Sequence, residues 1–179
     1  MIGVSWRPFT LDGTTYDLAH LHPFAHEFVV DARDGKPEQR YAINVAFSLH
    51  CFTRGRKDGE TVPPDHLYAD NREERVIDLA RYELSHRLPD VIRGIGRRKC
   101  FHTGHANFFT VEVIDDDGRS HDYSVFFAVT KAGKGRRLNL FVQSAYVSDR
   151  IPTPAKRKPI KFMVIAHNTA TSRPIRAPR

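Results

Sequence analysis

The segment Arg97-Arg98-Lys99-Cys100-Phe101-His102-Thr103-Gly104-His105 packs three cations and two imidazoles into nine residues. Metal-independent RNA cleavage needs that inventory. A base takes the ribose 2′-hydroxyl proton, an acid protonates the leaving 5′-oxygen, and a cation stabilises the charged phosphorane between them. Histidine titrates near neutrality and serves in either role. Arginine grips phosphate through paired N–H bonds. The same residues also suit a phosphate-binding loop with no catalysis. Both readings stand on the sequence.

A second set lies later in the chain. Ser144 and Tyr146 are two apart in the run RLNLFVQSAYV (137–147), so on a strand both leave one face. At a strand end beside a cleft they can bind or protonate phosphate. His167-Asn168-Thr169 closes the last apolar run and is a candidate neighbour for them.

The chain has ten histidines and two cysteines, so metal chemistry has to be weighed. His20, His22 and His26 cluster near the start, but Pro23 interrupts them and no cysteine is local. A surface or partner-facing cluster fits them better than zinc. Cys100, His102 and His105, joined by His50 and Cys51, would make a mixed zinc site only if strand 41–50 ran beside residues 100–105. Their spacing matches no recurring finger or ribbon. We therefore expect no metal and no cofactor. KAGKGRR (131–137) lacks the Walker spacing, Asp115-Asp116-Asp117-Gly118 lacks the downstream calcium-binding Glu, and neither G-x-S-x-G nor H-E-x-x-H occurs.

These residues need elements to hold them. Aromatic and β-branched runs at 14–19, 24–30 and 41–50 predict strands, with turns at Asp12-Gly13 and Asp34-Gly35-Lys36-Pro37. Residues 54–66 read as a loop. Asp70 and Glu73 resemble a capping box, and Ile77, Ala80, Leu84 and Leu88 then form a helical stripe, ended or bent by Pro89. Strands follow at 107–114, 121–130, 137–147 and 160–167, the third placing Leu138, Leu140, Val142, Ser144 and Tyr146 on one face. The expected architecture is α+β: an antiparallel sheet of about four C-terminal strands, one main helix on it, and additional N-terminal strands. One domain would span 1–168, with N-terminal strands in 1–52, helix in 70–95 and the sheet in 100–168. Residues 169–179 read as a basic disordered tail.

Charge narrows the partners. The chain of 179 residues carries +7 at a pI of about 9.6, and 16 of its 28 basic residues fall in four acid-free stretches within 93–99, 131–137, 150–161 and 162–179. Concentrated positive charge of this kind points to a polyanion, and RNA is the expected partner. Arg97, Arg98, Lys99, Lys134, Arg136 and Arg137 are the expected contacts. No apolar run reaches membrane-spanning length and no secretory signal opens the chain, so no membrane partner is expected. With only two cysteines, the expected compartment is the reducing cytoplasm.

The order of helix, basic histidine-bearing segment and four antiparallel strands ending in LFVQSAYV is similar to the BECR superfamily of nucleases, the barnase-, EndoU-, colicin- and RelE-like group. Ser144-Ala145-Tyr146 matches its late-strand pattern, and the resemblance covers about residues 70–168. The whole chain also resembles small bacterial and mobile-element proteins labelled stationary-phase growth adaptation proteins. The first resemblance implies a toxin-like, metal-independent endoribonuclease held in check by an acidic antitoxin or immunity protein. It makes His105 the favoured acid or base and His102 the next, with Arg98 and Lys99 steadying phosphate and Ser144 and Tyr146 positioning it. His121 or His167 would be the second catalytic histidine. The competing expectation is a non-catalytic, basic nucleic-acid-binding or regulatory protein of a mobile element.

Overall fold

Strict alternation builds the central strands. In β4 (Gln39–Phe47) the side chains of Tyr41, Ile43, Val45 and Phe47 are buried, while Arg40, Ala42 and Asn44 are exposed. The same alternation in β10 (Tyr123–Lys131) buries Tyr123, Val125, Phe127 and Val129. Each strand therefore has one core face and one outward face. The computed structural model describes residues 4–35, 37–103, 108–113, 123–147 and 158–176.

Seven strands form the main sheet, in the order β12 (Pro159–Lys161), β8 (Lys99–His102), β9 (Phe108–Val113), β10, β11 (Arg137–Val147), β4 and β3 (Phe24–Val30). Every neighbouring pair is antiparallel except β11–β4, which run parallel with Leu140 beside Val45. A hairpin, β1 (Phe9–Leu11) and β2 (Thr14–Tyr16), turns at Asp12-Gly13, whose φ angles of 49° and 75° explain why Gly follows Asp there. A three-stranded sheet adds β5 (Thr53–Arg54), β7 (Glu74–Ile77) and β6 (Leu67–Ala69).

The α+β expectation holds, with N-terminal strands completing the sheet and helix packed on it. The helices differ in position. The Asp70/Glu73 pair does not start a helix; Asp70 Oδ1 accepts from the N–H groups of Arg72 and Glu73 and turns the chain between β6 and β7. Its side-chain bonding is that of a cap, which a hairpin turn can use equally well. Residues 74–77 are consequently strand. The true N-cap is Asp78, accepting from Arg81 N–H, and α1 (Leu79–Ser85) buries Tyr82 and Ser85 rather than the expected Ala80. Pro89 sits in the first turn of α2 (Leu88–Arg93), where its missing N–H costs nothing.

The expected last strand, 160–167, is mostly helix. After β12 the chain enters α3 (Phe162–Ala170), with Phe162, Ile165, Ala166 and Ala170 buried at helical spacing. A short apolar run satisfies either period, and here the core chose the helix. α3 packs on the core face of β10 and β11, with the Phe162 ring 5.0 Å from Phe28 and 6.2 Å from Phe127. The expected tail begins inside this helix at Thr169–Ala170, and Ile175 still packs against the core. Helix and N-terminal elements thus cover one face of the sheet. The other face, uncovered among the described residues, carries half-exposed Ser124, Phe126, Asn139, Phe141, Ser144 and Tyr146.

If α3 is the element that closes the core, Phe162→Ala should cost about 3–5 kcal/mol. Urea denaturation followed by circular dichroism measures it, and a loss under 1 kcal/mol would refute the assignment.

Candidate functional site

β11 does not keep its alternation to the end. Phe126 faces Ser144 and Phe127 faces Val142, so Gln143 is an extra residue, a bulge. Up to Val142 the even-numbered residues are buried; beyond the bulge Ala145 is buried, and Ser144 and Tyr146 turn outward. This corrects the single face expected for Leu138 to Tyr146. Ser144 and Tyr146 do share a face, but it is the uncovered one.

The bulge is fastened to the end of β4. Ser48 N–H donates to Val142 O at 2.9 Å, and Ser48 Oγ donates to Gln143 O at 2.8 Å. The same Oγ accepts from His50 N–H at 2.9 Å and caps the 3-10 turn Leu49–Cys51. This buried serine therefore sets both the bulge and the start of the turn that carries His50.

His50 Nε2 lies 2.7 Å from Glu73 Oε1, across from the β6–β7 turn. Glu73 also lies 3.4 Å from the Arg75 guanidinium. Burial alone would raise the Glu73 carboxyl, but the His50 hydrogen bond and the charges of His50 and Arg75 outweigh it and hold the carboxyl below its usual value. An ionised carboxylate only accepts, so in the neutral form of His50 the hydrogen sits on Nε2 and Nδ1 carries the lone pair.

These residues line a cavity of about 800 Å³ on the uncovered face, within the range of ligand sites. Its floor is Phe126, Phe141, Gln143, Ser144 and Tyr146; its walls are Ser48 to His50, Arg72, Glu73 and Thr103. Tyr146 stacks on Phe126 with centroids 5.3 Å apart, and Arg81 lies over the Tyr146 ring at 5.0 Å. Arg81 is itself fixed by the carbonyls of His50 and Thr53. Aromatic floor, His–carboxylate pair and cation stand side by side.

Of the residues singled out from sequence, Ser144 and Tyr146 line this cavity, and His102 and His167 do not. His102 pairs across strands with Phe109, which is in the core, so it points to the opposite face. Its Nε2 is buried with no hydrogen-bond partner among the described residues, and burial, then the charge of Lys158, lowers its pKa. His167 on α3 lies 3.1 Å from the Tyr41 hydroxyl, also on the core side. His105 and His121 lie outside the described residues. Among the expected basic contacts, Lys99 is exposed on β8, directly opposite Lys161 on β12. Arg97 is exposed and Arg98 half-buried at the turn before it. Lys134 and Arg136 occupy the β10–β11 turn and Arg137 opens β11, at the other end of the strand from the cavity. Sequence reasoning weighed His50 only as a zinc ligand and Glu73 only as a capping partner, and missed Arg72, Phe126, Phe141 and Gln143.

Both cysteines are core residues, their thiols pushed up to about 12 by burial. Such thiols are unreactive. The N-terminal histidines also have a place. His20 stacks on His86 at 3.7 Å and bonds Ser85 Oγ at 2.7 Å, and His22 bonds the Trp6 carbonyl. Ser85 gives its own hydrogen to Tyr82 O at 2.6 Å, so His20 must donate to it and the pair is no nucleophile.

The YjaZ family model matches residues 8–170. The chain is also 32% identical over 177 residues to Protein YjaZ of Escherichia coli (strain K12), covering 97% of this chain and 95% of that protein. This chain belongs to the YjaZ family. That assignment overturns the resemblance to BECR nucleases and to stationary-phase growth adaptation proteins. Three short residues and an element order are far less specific than a match along the whole chain. No solved structure matches. Among the described residues, no helix is long and apolar enough to cross a membrane.

Two measurements check this account. Ser48→Ala should cost about 1–2 kcal/mol in urea unfolding, because it removes a cap and leaves the Gln143 carbonyl unpaired. A loss within error would show that the bulge holds without it. Burial, then His86, pushes His20 down to about 4 from its ordinary 6.5. The unfolded chain then takes up a proton that the folded chain refuses, so stability is full above pH 6.5 and falls toward pH 4. His86→Ala should make that fall shallower; an unchanged slope would remove His20 as its cause.

Proposed function

We propose that this protein binds unpaired RNA on the uncovered face of its sheet and cleaves it without metal, by acid–base catalysis in the His50–Glu73 cavity. The observation that carries the reading is the 2.7 Å His50–Glu73 pair at the edge of a floor of Phe126, Phe141 and Tyr146. Aromatic side chains exposed on a sheet are stacking platforms for single-stranded bases. A carboxylate that fixes one imidazole nitrogen leaves the other as a base.

In this mechanism a base rests on Phe126 and Phe141, with its polar edge near the Gln143 amide. The scissile phosphate lies against Arg72 and the hydroxyls of Ser144 and Tyr146. His50 Nδ1 takes the 2′-hydroxyl proton as that oxygen attacks phosphorus. The P–O5′ bond breaks, the 5′-oxygen takes a proton from water, and a 2′,3′-cyclic phosphate is left. Arg72 and the two hydroxyls offset the charge that gathers on the phosphorane. The role assigned from sequence to His105 or His102 passes to His50, which faces the same cavity as Ser144 and Tyr146.

The chemistry and the binding are separable. With purified protein, a labelled single-stranded RNA and a chelator present, cleavage should proceed. His50→Gln should slow it by ~10²-fold or more while leaving affinity nearly unchanged. Phe126→Ala should weaken binding by about tenfold, the worth of one stacked base. Intact RNA from folded wild-type protein, still bound with an affinity sensitive to Phe126, would move the reading to the non-catalytic nucleic-acid binder. Absence of binding as well would refute both.

A further inference from the structure

The arginines up to residue 93 are mostly neutralised. Arg40 pairs with Glu27 and Glu38, Arg54 with Glu60, Arg56 with Glu74, Arg81 with Asp78 and Arg93 with Asp90. The far end of the main sheet is the opposite case. There is no acidic residue from 123 to 147 or from 158 to 176. The fold brings these two segments together, because α3 packs on β10 and β11.

Where they meet, a second cavity of about 460 Å³ is lined by Thr130 and Lys131 from the end of β10, by Thr169 from the end of α3 and by Ser172 and Arg173 just beyond it. Two cationic and three hydroxyl-bearing residues line it, with no carboxylate among the lining residues. The backbone that presents them is fixed on both sides. Ala132 N–H donates to Arg137 O at 2.8 Å, closing the hairpin turn. Arg173 N–H donates to Asn168 O at 2.8 Å, and Ile175 anchors the chain beyond it on the core. Lys134 and Arg136 stand in the same hairpin turn and Arg137 opens β11, with Arg136 over the Tyr41 ring at 5.4 Å. None of Lys131, Lys134, Arg136, Arg137, Arg173 and Arg176 makes an ion pair with a described residue. The C-terminus of α3 opposes an anion here with a partial charge of about −0.5. Thr171 Oγ and the N–H groups of residues 171 to 173 already bond its last carbonyls, and six full positive charges outweigh it.

We propose that this end of the sheet is a second docking site, for backbone phosphates of an RNA strand whose other end lies in the His50 cavity. From Arg137 to Ser144 the strand runs seven residues, ~23 Å at about 3.3 Å each, and because the second cavity lies on the α3 side the RNA must also round the hairpin end of the sheet. Only an oligomer spans both. The inference rests on RNA being the ligand and is independent of cleavage.

The test uses the full chain carrying His50→Gln, so that no cleavage intrudes, and a fluorescent 12-nucleotide single-stranded RNA titrated at increasing NaCl. Each phosphate contact on a single strand contributes about 0.7 to the log–log salt slope, so Lys131→Gln/Arg173→Gln should flatten it by ~1.4. Both side chains are exposed, and unchanged circular dichroism and melting will verify the fold. Arg33→Gln/Arg56→Gln removes the same charge from cations already paired with Asp34 and Glu74, and should leave the slope unchanged. Equal slopes for all three proteins would overturn the proposal, as would a patch that takes an acidic protein and leaves RNA affinity untouched. Displacement of the oligomer by inorganic phosphate at matched ionic strength would identify a free-anion site and also overturn it. With His50 restored, the double variant should cleave a dinucleotide at the parent rate and a 12-mer less efficiently at low substrate. Loss of dinucleotide cleavage in the parent, with the salt result intact, would count against the catalytic reading alone.

Discussion

The uncovered face depends on one serine and one surplus residue. Ser48 spans from the end of β4 to β11, giving its N–H to Val142 and its hydroxyl to Gln143. A bulge shifts a strand's side-chain phase by one position. Without it, Ser144 and Tyr146 would follow Leu140 and Val142 into the core, and two hydroxyls would need partners among apolar side chains. With it, Ala145 fills the core position and the hydroxyls meet solvent and the cavity. The serine that holds the bulge also accepts from His50 N–H, so the floor and the wall of the site share one anchor.

The two faces of the sheet illustrate how composition is sorted. On the core side, Tyr41, Phe47, Phe109, Phe127 and Phe162 are nearly or fully buried, and aromatic contacts run through them. On the outer side the aromatic residues are fewer, half-exposed and interleaved with serine, asparagine and glutamine. A face needed only for solubility has little use for Phe126 and Phe141. Charge is sorted as well. Carboxylates neutralise arginines around the three-stranded sheet and the helices, and leave the hairpin end unneutralised.

Much of the fold was legible from the residues. β3 and β11 have the boundaries that alternation predicts, and the Asp12-Gly13 turn is where its chemistry places it. The misreadings share a cause. Asp70 and Glu73 bear the local signature of a helix cap, but a tight turn in a hairpin makes the same side-chain bonds. Residues 162–167 fit either period, and only packing against Phe28 and Phe127 decides it. The site was half legible. Ser144 and Tyr146 stood out by type and spacing, whereas His50 and Glu73 lie 23 residues apart and meet only through tertiary structure. No local pattern marks such a pair.

The parallel pairing of β4 beside β11, the single one among the described residues, has a consequence for the order in which the molecule can form. Its contacts join residues 95 positions apart, as in the Asn44–Asn139 and Ser48–Gln143 bonds. Pairings of that separation incur loop-closure entropy before they gain anything, and they close late. During synthesis His50 emerges in the first third of the chain, and its floor emerges only when β11 does. A nascent chain that has made β3 and β4 therefore carries the histidine but no cavity around it. Any activity that resides there is silent until the second half of the protein has been translated and folded back onto the first.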